Sequence, residues 1–404
     1  MNRIERQQDI LKIIQHLDIS PTMYKNATEK YLALANYLKD NGITADIYPQ
    51  GSFALGTVVR PVFKGSTASY DLDFICQVYK TRDQQTAAEL RKEVEDILCK
   101  SNLYGGKLEI YDKCITVRYA NIDGIGFSID IVPAADESFD TKTRLKLKSS
   151  NPELIETAVA IPKHCEKNYR WITNNPKGYR VWFDEINKPF LETAQLAQRQ
   201  TILKENQTLY SHIEDIPLAV FRSSVQRVIQ LLKYHRDVFY SQYDDGDDTK
   251  PISAIIGTIV TQIAATQPSS ISVFDLLQLV LSDFNTYGEY RVIPEGRFAT
   301  QHPDKKLIRK ENGRWILENP ANPEDNLADQ WNLDSKIPER FFRWINTARG
   351  DLLDALLLEN ASFRSTMETA FRQDIISSVW KDKYHAVPPT PVSNTSTAKP
   401  WKKM

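Results

Sequence analysis

Strand and helix patterns alternate at short intervals in the first half of the chain, and this limits the possible folds more than any other feature of the sequence. Apolar and β-branched runs predict strands at residues 44–48, 70–79, 108–111, 114–119 and 127–132. Apolar residues at helical spacing predict helices at residues 4–18, 24–41 and 84–102. Strands and helices at this density indicate an α/β domain, in which helices cover a mixed sheet.

The second half of the chain has a different pattern, which is mainly helical. Apolar residues recur at three- and four-residue spacing at 191–206, 216–240, 252–265, 273–286, 338–360 and 363–380. Residues 387–404 contain too few apolar residues to build a core and predict a flexible tail. We therefore expect an α/β catalytic domain over residues 1–185, a mainly α-helical domain over 186–386 and a tail over 387–404, with a cleft between the two lobes.

Charge and hydropathy exclude several classes of protein. The 404 residues include 51 Lys and Arg against 52 Asp and Glu, so the chain as a whole has no excess of positive charge for a nucleic acid backbone. The first residues lack the apolar segment of a signal peptide, and no apolar run approaches the length of a membrane span. The four cysteines of the chain are widely spaced and predict neither a zinc site nor a disulfide framework. We expect a cytoplasmic protein with no membrane partner.

Two acidic residues interrupt the strand predicted at 70–79. Because side chains alternate along a strand, Asp71 and Asp73 lie on the same face, where their carboxylates repel each other. Burial of such a pair requires a raised pKa, a positive side chain or a divalent cation, and the first basic residue along the strand is Lys80. A hydrated strand end is the alternative interpretation of this motif taken alone.

Asp130 and the Gly51-Ser52 segment favour the cation. Asp130 interrupts the apolar strand predicted at 127–132, where an isolated charge would be costly. Three carboxylates on neighbouring strands suit two divalent cations held about 3.5–4 Å apart for a displacement at phosphorus. Gly51 and Ser52 follow the first predicted strand at a turn into a helix, where backbone N–H groups and a hydroxyl can bind phosphate oxygens. An ordinary helix cap is the alternative interpretation of that turn.

The order of these motifs resembles that of the polymerase-β-like nucleotidyltransferases. More closely, the chain resembles the bacterial CD-NTases, relatives of cyclic GMP-AMP synthase and oligoadenylate synthase that serve antiphage signalling. The segments that carry the resemblance are 50–61, 70–74, 129–134, 174–179, 225–237, 250–253 and 318–327. The resemblance implies a polymerase-β-like catalytic domain followed by a helical domain similar to that of oligoadenylate synthase.

The resemblance further implies a magnesium-dependent reaction. Asp71, Asp73 and Asp130 would be the catalytic residues and would bind two Mg²⁺ ions, which Mn²⁺ can replace. The ribose hydroxyl of one nucleotide would attack the α-phosphorus of a nucleoside triphosphate, with ATP expected among the substrates, and pyrophosphate would leave. Repetition would close a cyclic di- or trinucleotide. This product would be a second messenger for a separate effector in antiphage (CBASS) defence.

The resemblance also implies a nucleotide site that draws on both lobes. Gly51 and Ser52, with the neighbouring backbone, would hold the donor triphosphate, and Lys233 and Ser253 would reach its phosphates from the helical domain. From the sequence alone, Lys233 lies beside the apolar stripe of its helix. Its side chain can there either follow the stripe into a cleft or extend into solvent.

Other products and partners stay open at this point. The same reaction can make linear oligonucleotides or modify RNA or protein, and a catalytically silent nucleotide sensor can retain the fold. Some relatives have their C-terminus conjugated by ubiquitin-activation-like partners, although the terminal Lys402-Lys403-Met404 departs from the small residue expected. His164 and Cys165 lack a partner pair at zinc-finger spacing, so activation by double-stranded DNA is not expected.

Overall fold

The computed structural model describes residues 3–60, 69–122, 125–205 and 221–385. The predicted tail at 387–404 and the first residues of the helix predicted at 216–240 lie outside these ranges. Within them, no helix combines the length and the apolar character that crossing a membrane requires.

A mixed sheet occupies the centre of the N-terminal half. Its strands are β1 (Ala45–Gln50), β2 (Ser69–Thr81), β3 (Leu108–Ile110), β4 (Ile115–Ile122), β5 (Ile125–Asp136), β6 (Val159–Cys165) and β7 (Asn168–Asn174). The order is β1-β2-β5-β4-β3, and β6 pairs with the end of β5 and with β7. The β2 and β5 strands are parallel, and every other pairing in this sheet is antiparallel. The predicted mixed sheet is confirmed, although β6 and β7 were not predicted.

Helices of the N-terminal half precede, connect and follow these strands. They are α1 (Arg3–His16), α2 (Pro21–Asp40), α3 (Gly51–Ala54), α4 (Ala87–Cys99), α5 (Phe139–Lys148) and α6 (Pro176–Glu205). The start of α4 is fixed by a capping box, in which Thr86 and Glu89 exchange hydrogen bonds between side chain and backbone. The sequence prediction for this helix, 84–102, was therefore slightly too long at both ends.

The alternation of side chains along β2 separates its two faces. Leu72, Phe74 and Cys76 are fully buried and pack with apolar side chains of α2 and α4. Burial of such side chains stabilises the fold by about 1.5–3 kcal/mol each, which fixes the register of the strand. Asp71 and Asp73 consequently lie on the opposite face, away from this core.

The C-terminal half is mainly helical, as predicted. Its helices are α7 (Ser224–Tyr240), α8 (Gly246–Thr249), α9 (Ser253–Ala264), α10 (Val273–Tyr287), α11 (Glu295–Gln301), α12 (Lys336–Leu352), α13 (Asn360–Phe371) and α14 (Gln373–Trp380). Two small hairpins were not predicted: β8 (Arg309–Glu311) with β9 (Arg314–Ile316), and β10 (Glu318–Asn319) with β11 (Asn322–Asn326). Strands of two to five residues are too short for a clear period in the sequence.

Several predicted helix bounds in this half were wrong. The helix predicted at 191–206 is the last part of α6, which begins already at Pro176. The helix predicted at 216–240 begins only at Ser224, because the hydroxyl of Ser223 accepts a hydrogen bond from the backbone of Gln226 and caps it. The helix predicted at 338–360 ends at Leu352, where a short 3₁₀ turn follows. The helix predicted at 363–380 is divided at Arg372, whose φ of 74° cannot continue an α-helix.

One hydrophobic core joins the C-terminal helices and also contains α1. Ile10, Ile13 and Ile14 of α1 are fully buried in it, together with apolar residues of α7 and α9. The long helix α6 runs across residue 186, where the sequence analysis places a domain boundary. The boundaries at 185/186 and 386/387 remain predictions.

Candidate active site

Three carboxylates meet on one face of the central sheet. The parallel pairing of β2 with β5 places Asp73 directly opposite Asp130, and Asp71 lies two residues earlier on the same face. One oxygen from each of Asp71, Asp73 and Asp130 lies within 4.8 Å of the other two. The structure thus brings together the three acids that the sequence analysis singled out.

The electrostatics of this cluster are unfavourable without a cation. Burial, followed by the negative charges of Asp71 and Asp130, raises the pKa of Asp73 well above its ordinary value. Burial also raises the pKa of Asp130, and a hydrogen bond from Thr116 partly offsets this rise. That bond runs from Oγ1 of Thr116 to Oδ1 of Asp130 and measures 2.7 Å.

The cluster suits a divalent metal ion. Among the described residues, none donates a hydrogen bond to the carboxylate of Asp71 or Asp73, and none forms an ion pair with the three acids. The charge of Lys233 opposes the rise in the pKa of Asp73 without forming an ion pair with it. Converging carboxylate oxygens with no directly paired positive side chain are the ligands that hard cations such as Mg²⁺ take. The repulsion among them favours a bound cation over a bare site.

The turn that contains Gly51 and Ser52 lies beside this cluster. It comes directly after β1, whose last residue, Gln50, pairs with Asp73 in the sheet. Gly51 has a φ of 63°, in the left-handed region, and a Cβ atom there would stand 2.5 Å from Oδ2 of Asp73. Only glycine fits at this position without moving the carboxylate.

Helix α7 holds the segment that follows this turn. Three of its side chains donate hydrogen bonds to backbone carbonyls of that segment: Gln226 to Leu55 (2.9 Å), Gln230 to Val58 (2.8 Å) and Lys233 to Thr57 (3.0 Å). These positions are spaced by four and three residues, so they share one face of the helix. Gln226 and Gln230 could not be identified from the sequence, since nothing local distinguishes them from other helix glutamines.

Lys233 is buried against the N-terminal lobe, contrary to the alternative of a helix lysine in solvent. Burial and, next, the positive charge of Arg236 lower the pKa of Lys233 to about 8. Arg236 donates from Nη1 to the hydroxyl of Ser253 at 3.0 Å and to the carbonyl of Pro251 at 2.9 Å. Arg236 therefore positions the start of α9 beside Lys233.

A cavity of about 420 Å³ opens between these elements. Its lining includes all four predicted nucleotide-binding residues, namely Gly51, Ser52, Lys233 and Ser253. Other lining residues come from 174–180 and from the second hairpin and the turn after it, 319–330. The three acids are not part of the lining but adjoin it through Gln50 and Gly51. A cavity of this size accommodates one small ligand, and the acids stand at its edge.

Residues 5–187 match the description "Second Messenger Oligonucleotide or Dinucleotide Synthetase domain" (SMODS). This part of the chain is a SMODS domain. It contains all three acids and the Gly51-Ser52 turn, whereas Lys233 and Ser253 lie beyond its end. The SMODS match confirms the resemblance to the bacterial CD-NTases, and the chain is a nucleotidyltransferase.

Relatives of the SMODS domain extend the similarity over most of the chain. A c-di-GMP synthase of Roseivirga ehrenbergii is 24% identical over 357 residues, which cover 87% of this chain and 80% of that protein. Two solved structures share the fold. The CD-NTase CdnG of Bradyrhizobium diazoefficiens in complex with GTP has a TM-score of 0.64 at 18% identity, over 93% of this chain and 98% of that one. CdnC of E. coli MS115-1 with ATP has a TM-score of 0.55 at 12% identity, over 91% of this chain and 98% of that one.

Proposed function

We propose that the chain condenses nucleoside triphosphates into a cyclic di- or trinucleotide and releases pyrophosphate. The observation that carries this proposal is the convergence of Asp71, Asp73 and Asp130 within 4.8 Å, at the edge of a cavity lined by Lys233. The SMODS match and the similarity to a c-di-GMP synthase support a cyclic product. The solved relatives contain GTP or ATP, which supports nucleoside triphosphates, ATP among them, as substrates.

The three acids would hold two divalent cations, with Mg²⁺ as the natural pair and Mn²⁺ as a substitute. Bound there, the cations would supply the positive charge that acidifies the attacking ribose hydroxyl and stabilises the leaving pyrophosphate. Thr116 orients Asp130 through its hydrogen bond, and Gly51 leaves the room that the carboxylate of Asp73 needs.

The chain's own side chains would position the triphosphate. The hydroxyl of Ser52 and the ammonium of Lys233 line the same cavity and can bind phosphate oxygens from two sides. The ammonium of Lys233 has three N–H donors, so it can bind phosphate while one of them stays bonded to the carbonyl of Thr57. Ser253 lies at the start of α9, next to Lys233, and would contribute a second hydroxyl.

The product would leave the enzyme as a second messenger in the cytoplasm and activate a separate effector protein in antiphage defence. The description of the SMODS family names second-messenger synthesis and supports that part of the role, whereas the part in antiphage defence rests on the resemblance to the CD-NTases. Conjugation of the C-terminus by a ubiquitin-activation-like partner stays a prediction, since residues 387–404 lie outside the described residues.

The test combines purified protein, Mg²⁺ or Mn²⁺, and labelled nucleoside triphosphates in all combinations, followed by phosphatase treatment and mass spectrometry. We expect a phosphatase-resistant cyclic product together with pyrophosphate, and neither from Asp71→Asn or Asp73→Asn. The control is Asp83→Asn, an exposed aspartate in the turn just after β2, which should keep full activity. Binding without pyrophosphate release would indicate a silent sensor, and label in added RNA or protein would indicate a macromolecular acceptor; either result contradicts the proposal.

A further inference from the structure

The cavity wall formed by residues 319–330 contains asparagine amides that form hydrogen bonds within the wall. Asn319 donates to Oδ2 of Asp325 at 2.8 Å and accepts from the backbone of Ala321. Asn326 donates to the carbonyl of Trp315 and accepts from two backbone N–H groups. These bonds fix both asparagines in the wall; the amide oxygen of Asn326 has both acceptor positions occupied, and each amide keeps one N–H.

Asp325 differs from them, because it keeps free acceptor capacity. Its Oδ2 accepts from Asn319, and within the described ranges no group donates to Oδ1 and no Lys or Arg forms an ion pair with it. Burial raises the pKa of Asp325, and the negative charge of Asp329 raises it further. The hydrogen bond from Asn319 and the positive charge of Lys113 act in the opposite direction. A partly buried carboxylate with a free oxygen is stabilised by a ligand that brings N–H donors.

The polar side chains that line the cavity differ in the chemistry that they offer. Ser52 and Lys233 provide donors for phosphate, whereas Asp325 provides a negatively charged acceptor, which repels phosphate. Apolar side chains line the cavity as well, among them Ile252, half of whose surface is exposed, and Leu327. Such side chains suit the flat face of a base. The part of a nucleotide that fits beside Asp325 is therefore its base.

Among the four bases, guanine complements a carboxylate. Its N1–H and its 2-amino group donate from neighbouring positions on one edge, so they can bind the two oxygens of one carboxylate. Adenine and cytosine place a ring nitrogen lone pair beside their amino group, and that lone pair faces a carboxylate oxygen. Uracil offers a single N–H between two carbonyl groups, which repel the carboxylate.

We infer that Asp325 is a specificity-determining residue that selects a guanine nucleotide for this cavity. The inference rests on the proposed function, since it assumes that a nucleotide occupies the cavity, and it adds the base. A site built to bind N–H donors discriminates against ligands that lack them. Two parallel hydrogen bonds to one base correspond to a preference of about ten- to hundredfold.

The experiment measures binding of non-hydrolysable GTP, ITP and ATP analogues by calorimetry with Mg²⁺ present. Hypoxanthine, the base of ITP, keeps N1–H but lacks the 2-amino group, so the wild type should bind GTP most tightly, ITP less tightly and ATP least. Asp325→Asn should remove the preference for GTP, because the amide nitrogen opposes a donor of guanine while its oxygen can still accept from Asn319. The matched control is Asp329→Asn, an exposed aspartate of the same wall, which should keep the order.

Several results would overturn the inference. Equal affinity of the wild type for GTP and ATP would do so, as would an equal loss for all three analogues in Asp325→Asn, which would place a ribose hydroxyl at the carboxylate. If Asp329→Asn loses the preference for GTP and Asp325→Asn keeps it, then Asp329, and not Asp325, selects the base. Pyrophosphate release tests the proposed function separately. An enzyme that is active with ATP alone would refute only the selection of guanine. GTP-selective binding without pyrophosphate release would refute only the proposed nucleotide synthesis.

Discussion

Gly51 lies directly against Asp73, so that a Cβ atom at residue 51 would stand 2.5 Å from Oδ2 of that carboxylate. An alanine there must displace the proposed metal ligand or the turn that carries Ser52. We expect Gly51→Ala to lower the rate of pyrophosphate release by about a hundredfold, the effect of a small misplacement of a reacting group. Steady-state kinetics at saturating nucleotide and Mg²⁺ will measure this.

Gly42→Ala is the matched control for this variant. Gly42 also has a left-handed backbone, with a φ of 102°, but a Cβ atom there would meet nothing within 4 Å. Both substitutions should cost about 1–2 kcal/mol of stability through backbone strain. Only Gly51→Ala should lose activity. An equal loss of activity in Gly42→Ala would show that backbone strain, and not the contact with Asp73, causes the loss.

The charge of Asp73 should destabilise the protein in the absence of metal. Burial and the neighbouring acids raise the pKa of this carboxyl group, so its ionised form opposes folding at neutral pH. We expect Asp73→Asn to raise the melting temperature in EDTA and to abolish product formation. Mg²⁺ should raise the melting temperature of the wild type but not that of the variant, as measured by differential scanning fluorimetry.

Asp83→Asn controls for the change of a surface charge, and it should respond to Mg²⁺ as the wild type does. An Mg²⁺-dependent rise of the same size in Asp73→Asn would contradict the metal site. A lower melting temperature of Asp73→Asn in EDTA would contradict the repulsion among the three acids.

The arrangement of the acids could be predicted from the sequence because it follows from local rules. Alternation places Asp71 and Asp73 on one face of β2, and burial of the apolar face then fixes which face. That Asp130 lies opposite Asp73 depends on the parallel pairing of β2 with β5. The sequence predicted only that the three acids lie on neighbouring strands.

The supporting contacts could not be predicted, because their partners are far away in the sequence. Gln230 donates a hydrogen bond to the carbonyl of Val58, 172 residues earlier, and no local sequence pattern predicts such a pair. Thr116 occupies an ordinary strand position, and its role depends on the register between β4 and β5. Asp325 lies in the short polar strand β11, where a hydrated carboxylate would be the natural expectation.

Thr116 should act as a positioning residue for Asp130. Thr116→Val removes the 2.7 Å hydrogen bond to Oδ1 at nearly constant volume. Loss of such a partner typically weakens metal binding by about 10–100-fold, so the Mg²⁺ concentration for half-maximal activity should rise by that factor. A titration of activity with Mg²⁺ will measure this shift.

Thr116→Ser is the matched variant, since it restores the hydroxyl without the methyl group. It should return the Mg²⁺ requirement close to that of the wild type. If Thr116→Ser and Thr116→Val are equally impaired, packing of the threonine methyl group, and not the hydrogen bond, explains the effect.

Lys233 should make nucleotide affinity depend on pH. Burial lowers its pKa to about 8, and only the protonated form attracts a triphosphate, so affinity should decrease as pH rises through that value. For a pKa of about 8, the protonated fraction falls from about nine-tenths at pH 7 to about one-tenth at pH 9, so the dissociation constant of a non-hydrolysable triphosphate should rise about tenfold between these pH values. Calorimetry across this range will measure it. Lys233→Met should bind weakly at pH 7 and show no such change, and a pH dependence retained in Lys233→Met would assign the titration to another group.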